Sequence, residues 1–111
     1  MKYLIFVLTC ASLFCHAGQP LRELSGKYTV SSKSYAENEK KTHLYLFLSG
    51  SSAKETWDAI DAEPVLNACG INHLEKIAGN LVCSYYKVEN TYECSVSINV
   101  KNGEADNPIP C

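Results

Sequence analysis

Four cysteines in the C-terminal half constrain the fold of this 111-residue chain more than any other feature. They stand at Cys69, Cys83, Cys94 and Cys111. In a short exported chain, four cysteines form two disulfides, for which three connectivities exist. No two of them have the C-x-x-C spacing of a zinc site, so we expect disulfides and no metal.

The N-terminus predicts export. Lys2 supplies a positive charge, residues 3–14 are largely apolar, and Ala17 is a small residue that suits signal peptidase. We therefore predict a signal peptide over residues 1–17 and a single small disulfide-linked domain over residues 18–111. The apolar run is shorter than the roughly 20 residues of a transmembrane helix, so we expect no membrane span after cleavage. The expected location is periplasmic or secreted.

A predicted hairpin suggests how the cysteines pair. Residues 92–101 alternate apolar and polar side chains, and Asn102-Gly103 follows, a dipeptide that favours a two-residue turn. Such a turn places Cys94 opposite Cys111, at a distance that a disulfide spans. The predicted pairs are therefore Cys94–Cys111 and, by elimination, Cys69–Cys83. The alternative is Cys83–Cys94 across the preceding hairpin, which leaves Cys69–Cys111.

Hydrophobic periodicity predicts an α+β fold, in which one helix packs on one face of an antiparallel sheet of four to five strands and two disulfides join the chain. Strand patterns cover residues 27–32, 42–48, 80–88 and 92–101, with a short one over 65–69 and a final edge segment. Residues 71–79 match neither a helix nor a strand clearly.

The helix is predicted from a capping box and an apolar stripe. Ser52 and Glu55 have the spacing of a capping box, and Pro64 stops the helix near Ala62. The apolar stripe comprises Ala53, Trp57 and Ile60.

Several of these segments together resemble small exported Gram-negative bacterial proteins of unknown function. Those proteins share an L-x-L-S-G-x-x-A-x-x-x-[YW] segment, then an L-x-C strand and a Y-x-C strand. Here the matching residues are 46–53 with Trp57, then 79–84, then 92–94. The resemblance covers roughly residues 44–111 and implies a periplasmic location and disulfides. It implies no activity and no site residues.

Few residues have the pattern of a catalytic or cofactor site. The predicted mature chain has two histidines, His43 and His73, and a hydrolase or nuclease would need one of them beside a carboxylate. The other interpretation is two surface histidines. Asp58, Asp61 and Glu63 could contact a basic partner or a cation, but they lack the spacing of a calcium loop, which favours a solvated acidic face. We expect no cofactor, and the net charge of −2 does not favour a nucleic-acid partner.

An aromatic sheet face is the more informative feature. The strand over 42–48 carries three leucines on one face and larger side chains on the other. With the strand at 81, the face away from the leucines holds Tyr45, Phe47, Val82, Tyr86 and Val88. An exposed patch of this kind marks an interaction site. Alternatively, the N-terminal strand or residues 71–79 cover it and form a second small core.

These observations favour an exported, non-catalytic binding protein, for example an inhibitor or immunity-type partner of another envelope or secreted protein. One alternative is a small secreted hydrolase or nuclease that uses His43 or His73. Another is a secreted effector or envelope-stress component.

Overall fold

The computed structural model describes residues 18–66 and 73–106 of the chain. The predicted signal peptide, Cys69 and Cys111 lie outside these residues. Within these residues, one helix, α1 (Gly50–Ala59), follows the second of seven strands. The strands are β1 (Gly26–Ser31), β2 (His43–Ser49), β3 (Val65–Leu66), β4 (His73–Ala78), β5 (Leu81–Tyr86), β6 (Thr91–Asn99) and β7 (Ala105–Asp106).

The strands form one antiparallel sheet in the order β1-β2-β6-β5-β4-β3, and β7 pairs with β6 beyond the end of β5. The predicted α+β class, with one helix on an antiparallel sheet, is confirmed. The prediction of four to five strands is wrong, because the sheet has seven. Within the described residues, no helix is both long and apolar enough to cross a membrane.

The strand that the sequence left undecided is β4. Leu74 and Ile77 are three residues apart, a spacing that also suits a helix, so the pattern alone is ambiguous. In the sheet the side chains of Leu74 and Ile77 lie on opposite faces. Leu74 is paired with Tyr85 of β5, and Ile77 is paired with Val82 of the same strand. Gly79 has a φ of 62°, a left-handed conformation that glycine adopts without strain, and this permits the tight turn into β5.

The structure joins Cys83 to Cys94, which face each other across β5 and β6. The predicted pairs Cys94–Cys111 and Cys69–Cys83 are therefore wrong, and the alternative Cys83–Cys94 bond is the one observed. The edge of β6 beside Cys94 is occupied by β5, where Cys83 is the residue paired with Cys94.

The turn before β7 is also longer than predicted. The Asn99 N–H donates to the Glu104 carbonyl and Ser97 faces Asp106, so four residues form the loop. The side-chain oxygens of Asn99 and Asn102 accept hydrogen bonds from the N–H groups of Lys101 and Glu104. These side-chain bonds favour a wider turn over the two-residue type that Asn-Gly suggests.

The core lies between α1 and the disulfide. Ala53, Trp57 and Ile60 pack on Cys83 and Cys94, which confirms the predicted apolar stripe. Half-buried side chains surround this cluster, namely Leu48, Ala62, Leu74, Leu81, Tyr85 and Tyr92. The helix therefore covers the leucine-bearing face of the sheet, as predicted, and we call this side the helix face.

Tertiary contacts hold both ends of α1. The predicted capping box is wrong: the helix begins at Gly50, and the Ser52 hydroxyl donates to the carbonyls of Ser49 and Ser25. Glu55 instead forms an ion pair with Arg22, with a nitrogen–oxygen distance of 2.6 Å. At the other end, Lys76 Nζ donates to the Trp57 and Ile60 carbonyls. It satisfies carbonyls that a helix C-terminus leaves free.

Candidate functional site

The sheet face opposite α1, here called the open face, carries an apolar row across four strands. Phe47 faces Ser95 on β6, Ser95 faces Val82 on β5, and Val82 faces Ile77 on β4. Adjacent strands lie about 4.8 Å apart, so Val82 and Ile77 are direct neighbours, and Ser95 lies between Phe47 and Val82. Phe47 is 42% exposed and Ile77 is 50% exposed. The apolar row (Phe47, Val82 and Ile77) is therefore accessible to a partner.

An acidic row lies beside the apolar row, one side-chain level further along the strands. Glu93 and Glu75 both face Ser84, from β6 and β4 respectively. The Ser84 hydroxyl donates to Glu75 Oε2 at 3.5 Å. Over residues 18–66 and 73–106, neither carboxylate forms an ion pair with a lysine or arginine. Glu93 is exposed and available to a basic group from outside, whereas the Glu75 side chain is only 16% exposed.

Tyr86 and His73 close the end of the open face. Their ring centroids are 4.7 Å apart, and the Tyr86 hydroxyl donates to Glu93 Oε2 at 3.5 Å. Burial, followed by the negative charge of Glu93, raises the pKa of the Tyr86 phenol above its usual value. The hydroxyl therefore stays protonated at neutral pH and remains a donor. His73 Nε2 lies 3.8 Å from Glu75 Oε2.

Tyr45, a predicted member of this face, is covered. It is 2% exposed, and the ring of Tyr35 packs on it with a centroid distance of 4.8 Å. The loop between β1 and β2 turns back because Ser32 accepts hydrogen bonds from the N–H groups of Tyr35 and Ala36. The covering element is this polar loop, whereas the sequence suggested the N-terminal strand or residues 71–79. It covers only the Tyr45 end.

Val88, the last predicted member, is exposed but lies off the sheet. The strand β5 ends at Tyr86, and Val88 sits in the turn that leads to β6 with 79% of its surface exposed. Asn90, with a φ of 55°, reverses the chain in this turn. The turn thus breaks the alternation that the sequence pattern extended to residue 88.

Phe47, Val82 and Tyr86 therefore remain from the predicted set, and the structure adds Ile77, Glu75 and Glu93. The alternation over residues 92–101 does place Glu93 on the face opposite Cys94. Ile77 and Glu75 were missed because the sequence did not identify β4.

His43 lies at the covered end of the sheet and is 5% exposed, so its interpretation as a surface histidine is wrong. Its Nε2 is 2.7 Å from Asp106 Oδ2 and its Nδ1 is 2.8 Å from Thr42 Oγ1. With the proton on Nε2, the ring donates to Asp106 and accepts from Thr42. Because β2 and β7 flank β6 here, the His43–Asp106 bond ties the last described strand to the sheet.

The remaining candidates are surface features. Asp58, Asp61 and Glu63 are all exposed, and Asp58 pairs with Lys54 at 2.8 Å on the same helix. Among the residues that the structure describes, no group of three histidine, cysteine or acidic side chains is placed to hold a metal ion.

No family model, curated protein or solved structure matches this chain. The resemblance to small exported proteins stays a prediction.

Proposed function

We propose that this protein is an exported, non-catalytic binding protein that holds another protein against its open face. One observation carries the proposal: an accessible apolar row lies beside two carboxylates that have no lysine or arginine partner within the described residues. An inhibitor or immunity-type role, or that of a secreted effector, would use such a surface equally well.

The chemistry of the open face defines the partner. Phe47, Val82 and Ile77 favour an aliphatic or aromatic side chain that loses contact with water on binding. Glu75 and Glu93 favour an arginine or lysine next to it, and arginine adds a bidentate hydrogen bond to a carboxylate. The expected partner is therefore a protein with a basic, partly apolar surface. The net charge of −2 favours the same partner.

Export is part of the proposal. The Cys83–Cys94 disulfide supports it, because disulfides persist in oxidising compartments and are rare in the cytosol. Intact mass and peptide mapping of the natural protein should give a chain that begins at Gly18 and contains two disulfides, the second joining Cys69 to Cys111. A chain that retains residues 1–17, or free thiols at these two cysteines, would contradict it.

A capture experiment tests the binding surface. Immobilised wild-type protein is exposed to an extract of the cell envelope, and the retained protein is identified and its affinity measured. Phe47→Ser should weaken binding about 30-fold or more, as expected for an interface anchor worth about 2 kcal/mol. Glu75→Gln combined with Glu93→Gln should weaken binding and reduce its dependence on salt.

Val100→Ser is the matched control. Val100 is 53% exposed and lies outside the open face, so this variant should bind like the wild type. The proposal is refuted if Phe47→Ser binds the retained protein as tightly as Val100→Ser does, provided that both variants melt like the wild type.

A small hydrolase is the second candidate function. The observation in its favour is the hydrogen-bonded series Thr42–His43–Asp106, which has the hydroxyl, imidazole and carboxylate of an acyl-transfer triad. The burial of His43 counts against it, because the imidazole of a triad must reach the leaving group to protonate it. A fluorophosphonate probe that labels wild-type protein but not Thr42→Ala would favour the hydrolase, and absence of labelling would favour the binding protein.

A further inference from the structure

We propose that two copies of this chain pair along β1, edge to edge, and so extend the sheet across a two-fold axis. The pairing uses the outer edge of β1 and leaves the apolar row uncovered, so it is independent of the proposed function. It follows from the backbone direction, the side chains and the register of β1.

The outer edge of β1 presents free backbone groups. The Ser49 N–H donates to the Ser25 carbonyl, in register with the β1–β2 pairing. Because backbone groups alternate in direction along a strand, the odd residues of β1 bond to β2 and the even residues point outward. Among the described residues no strand pairs with this outer side. The N–H and C=O groups of Tyr28 and Val30 are therefore available for another strand.

The same edge bears apolar side chains on the helix face. Tyr28 is 72% exposed and Val30 is 38% exposed. Each continues a row of half-buried side chains across the next two strands, namely Leu46 and Val96 beside Tyr28, and Leu44 and Ile98 beside Val30. Among the described residues, the buried cluster beneath α1 includes Leu48 but none of the residues in these two rows. An apolar strip thus reaches the open edge.

A second copy satisfies this edge in one particular register. With the two-fold axis at Thr29, Tyr28 of each copy faces Val30 of the other through the outward-pointing backbone groups. Pairs of an aromatic and a β-branched residue are among the favourable cross-strand pairs. Lys27 then faces Ser31, so no like charges are directly opposed. Registers shifted by two residues place Tyr28 opposite Tyr28 or Val30 opposite Val30 and lose the mixed pairs.

The contact is small, so the dimer is weak. Two tyrosines, two valines and a short backbone ladder bury well under the roughly 1,200 Å² of a stable interface. We therefore expect a dissociation constant in the micromolar range. Association of the two copies must therefore be measured at high protein concentration.

Cysteine cross-linking tests the register. In the proposed dimer, Thr29 faces Thr29 in a pair without backbone hydrogen bonds, with a Cα separation of about 4.5 Å that a disulfide spans. The two Lys27 residues are offset by four positions along the strand, about 13 Å. In a glutathione buffer, Thr29→Cys should form a covalent dimer at least about tenfold faster than the matched control Lys27→Cys, and mapping should join the two introduced thiols.

A second variant and a second measurement keep the test decisive. Adding Val30→Lys to Thr29→Cys places a charge on the edge and should abolish the cross-link, while the thermal melt shows that the domain is folded. Sedimentation of the wild type should show association that increases with concentration and is lost in Val30→Lys. Equal cross-linking of Lys27→Cys and Thr29→Cys, or a wild type that stays monomeric at about 1 mM, which lies well above the expected dissociation constant, would overturn the proposal.

Discussion

Replacing Trp57 by alanine removes the side chain that joins α1 to the sheet. Trp57 is 8% exposed, and its ring lies 6.2 Å from that of Tyr85 and 5.7 Å from that of Tyr92. The Lys76 ammonium lies 4.9 Å from the centre of the indole on another side. No other large apolar side chain of α1 reaches this cluster within the described residues, since Ala53 is small and Ile60 lies beyond the last helical residue.

The expected loss in the free energy of unfolding follows from this burial. A buried aromatic ring removes about 150–250 Å² from water, which at about 25 cal/mol per Å² amounts to roughly 4–6 kcal/mol. Measured substitutions of buried tryptophan or phenylalanine by alanine cost about 3–5 kcal/mol. A domain of this size has a total stability of about 5–14 kcal/mol. Trp57→Ala should therefore remove at least about a fifth of it.

Urea unfolding followed by far-ultraviolet circular dichroism measures this loss, because the variant has no tryptophan fluorescence. Ser51→Ala, an exposed position on the same helix, is the control and should change the stability by less than about 0.5 kcal/mol. Trp57→Phe should fall between the two, since it keeps part of the ring contact. A loss below about 1 kcal/mol in Trp57→Ala would refute the packing of α1 on the disulfide.

Three further predictions follow from the same contacts. Replacing Cys83 and Cys94 together by alanine should lower the free energy of unfolding in urea by about 3 kcal/mol, which is the loop-entropy value for a sequence separation of 11. A loss under about 1 kcal/mol would show that the disulfide contributes little to stability. Lys76→Met should cost about 1–2 kcal/mol, because the carbonyls at the end of α1 lose their donor, whereas a variant as stable as the wild type would exclude this cap. A hydrogen bond and the positive charge from Arg22 hold the pKa of Glu55 below its usual value. Its stabilising effect is therefore present at neutral pH and is lost as the pH falls through that lowered pKa. Arg22→Ala should raise the Glu55 pKa in an NMR titration, and an unchanged value would contradict the ion pair.

The candidate site shows what a pattern of alternation can and cannot predict. The assignment of Phe47, Val82 and Tyr86 to one face needed only strand periodicity, because side chains alternate between the faces of a sheet. Strand periodicity could not predict the burial of Tyr45, because this burial depends on Tyr35 in a polar loop. Hydrogen bonds to Ser32 set the path of that loop.

Local patterning in the sequence by itself determined the α+β class, the position of four strands, and the stripe on α1 that meets the core. These follow from spacings of two and three to four residues, which are properties of neighbouring residues. Only the tertiary structure decided the partner of Cys94, the assignment of β4 as a strand and the burial of His43. The partner of Cys94 and the burial of His43 depend on which segments lie along β6, and β4 is a strand because it pairs with β5. Such competition between distant segments leaves no periodic signal along the chain.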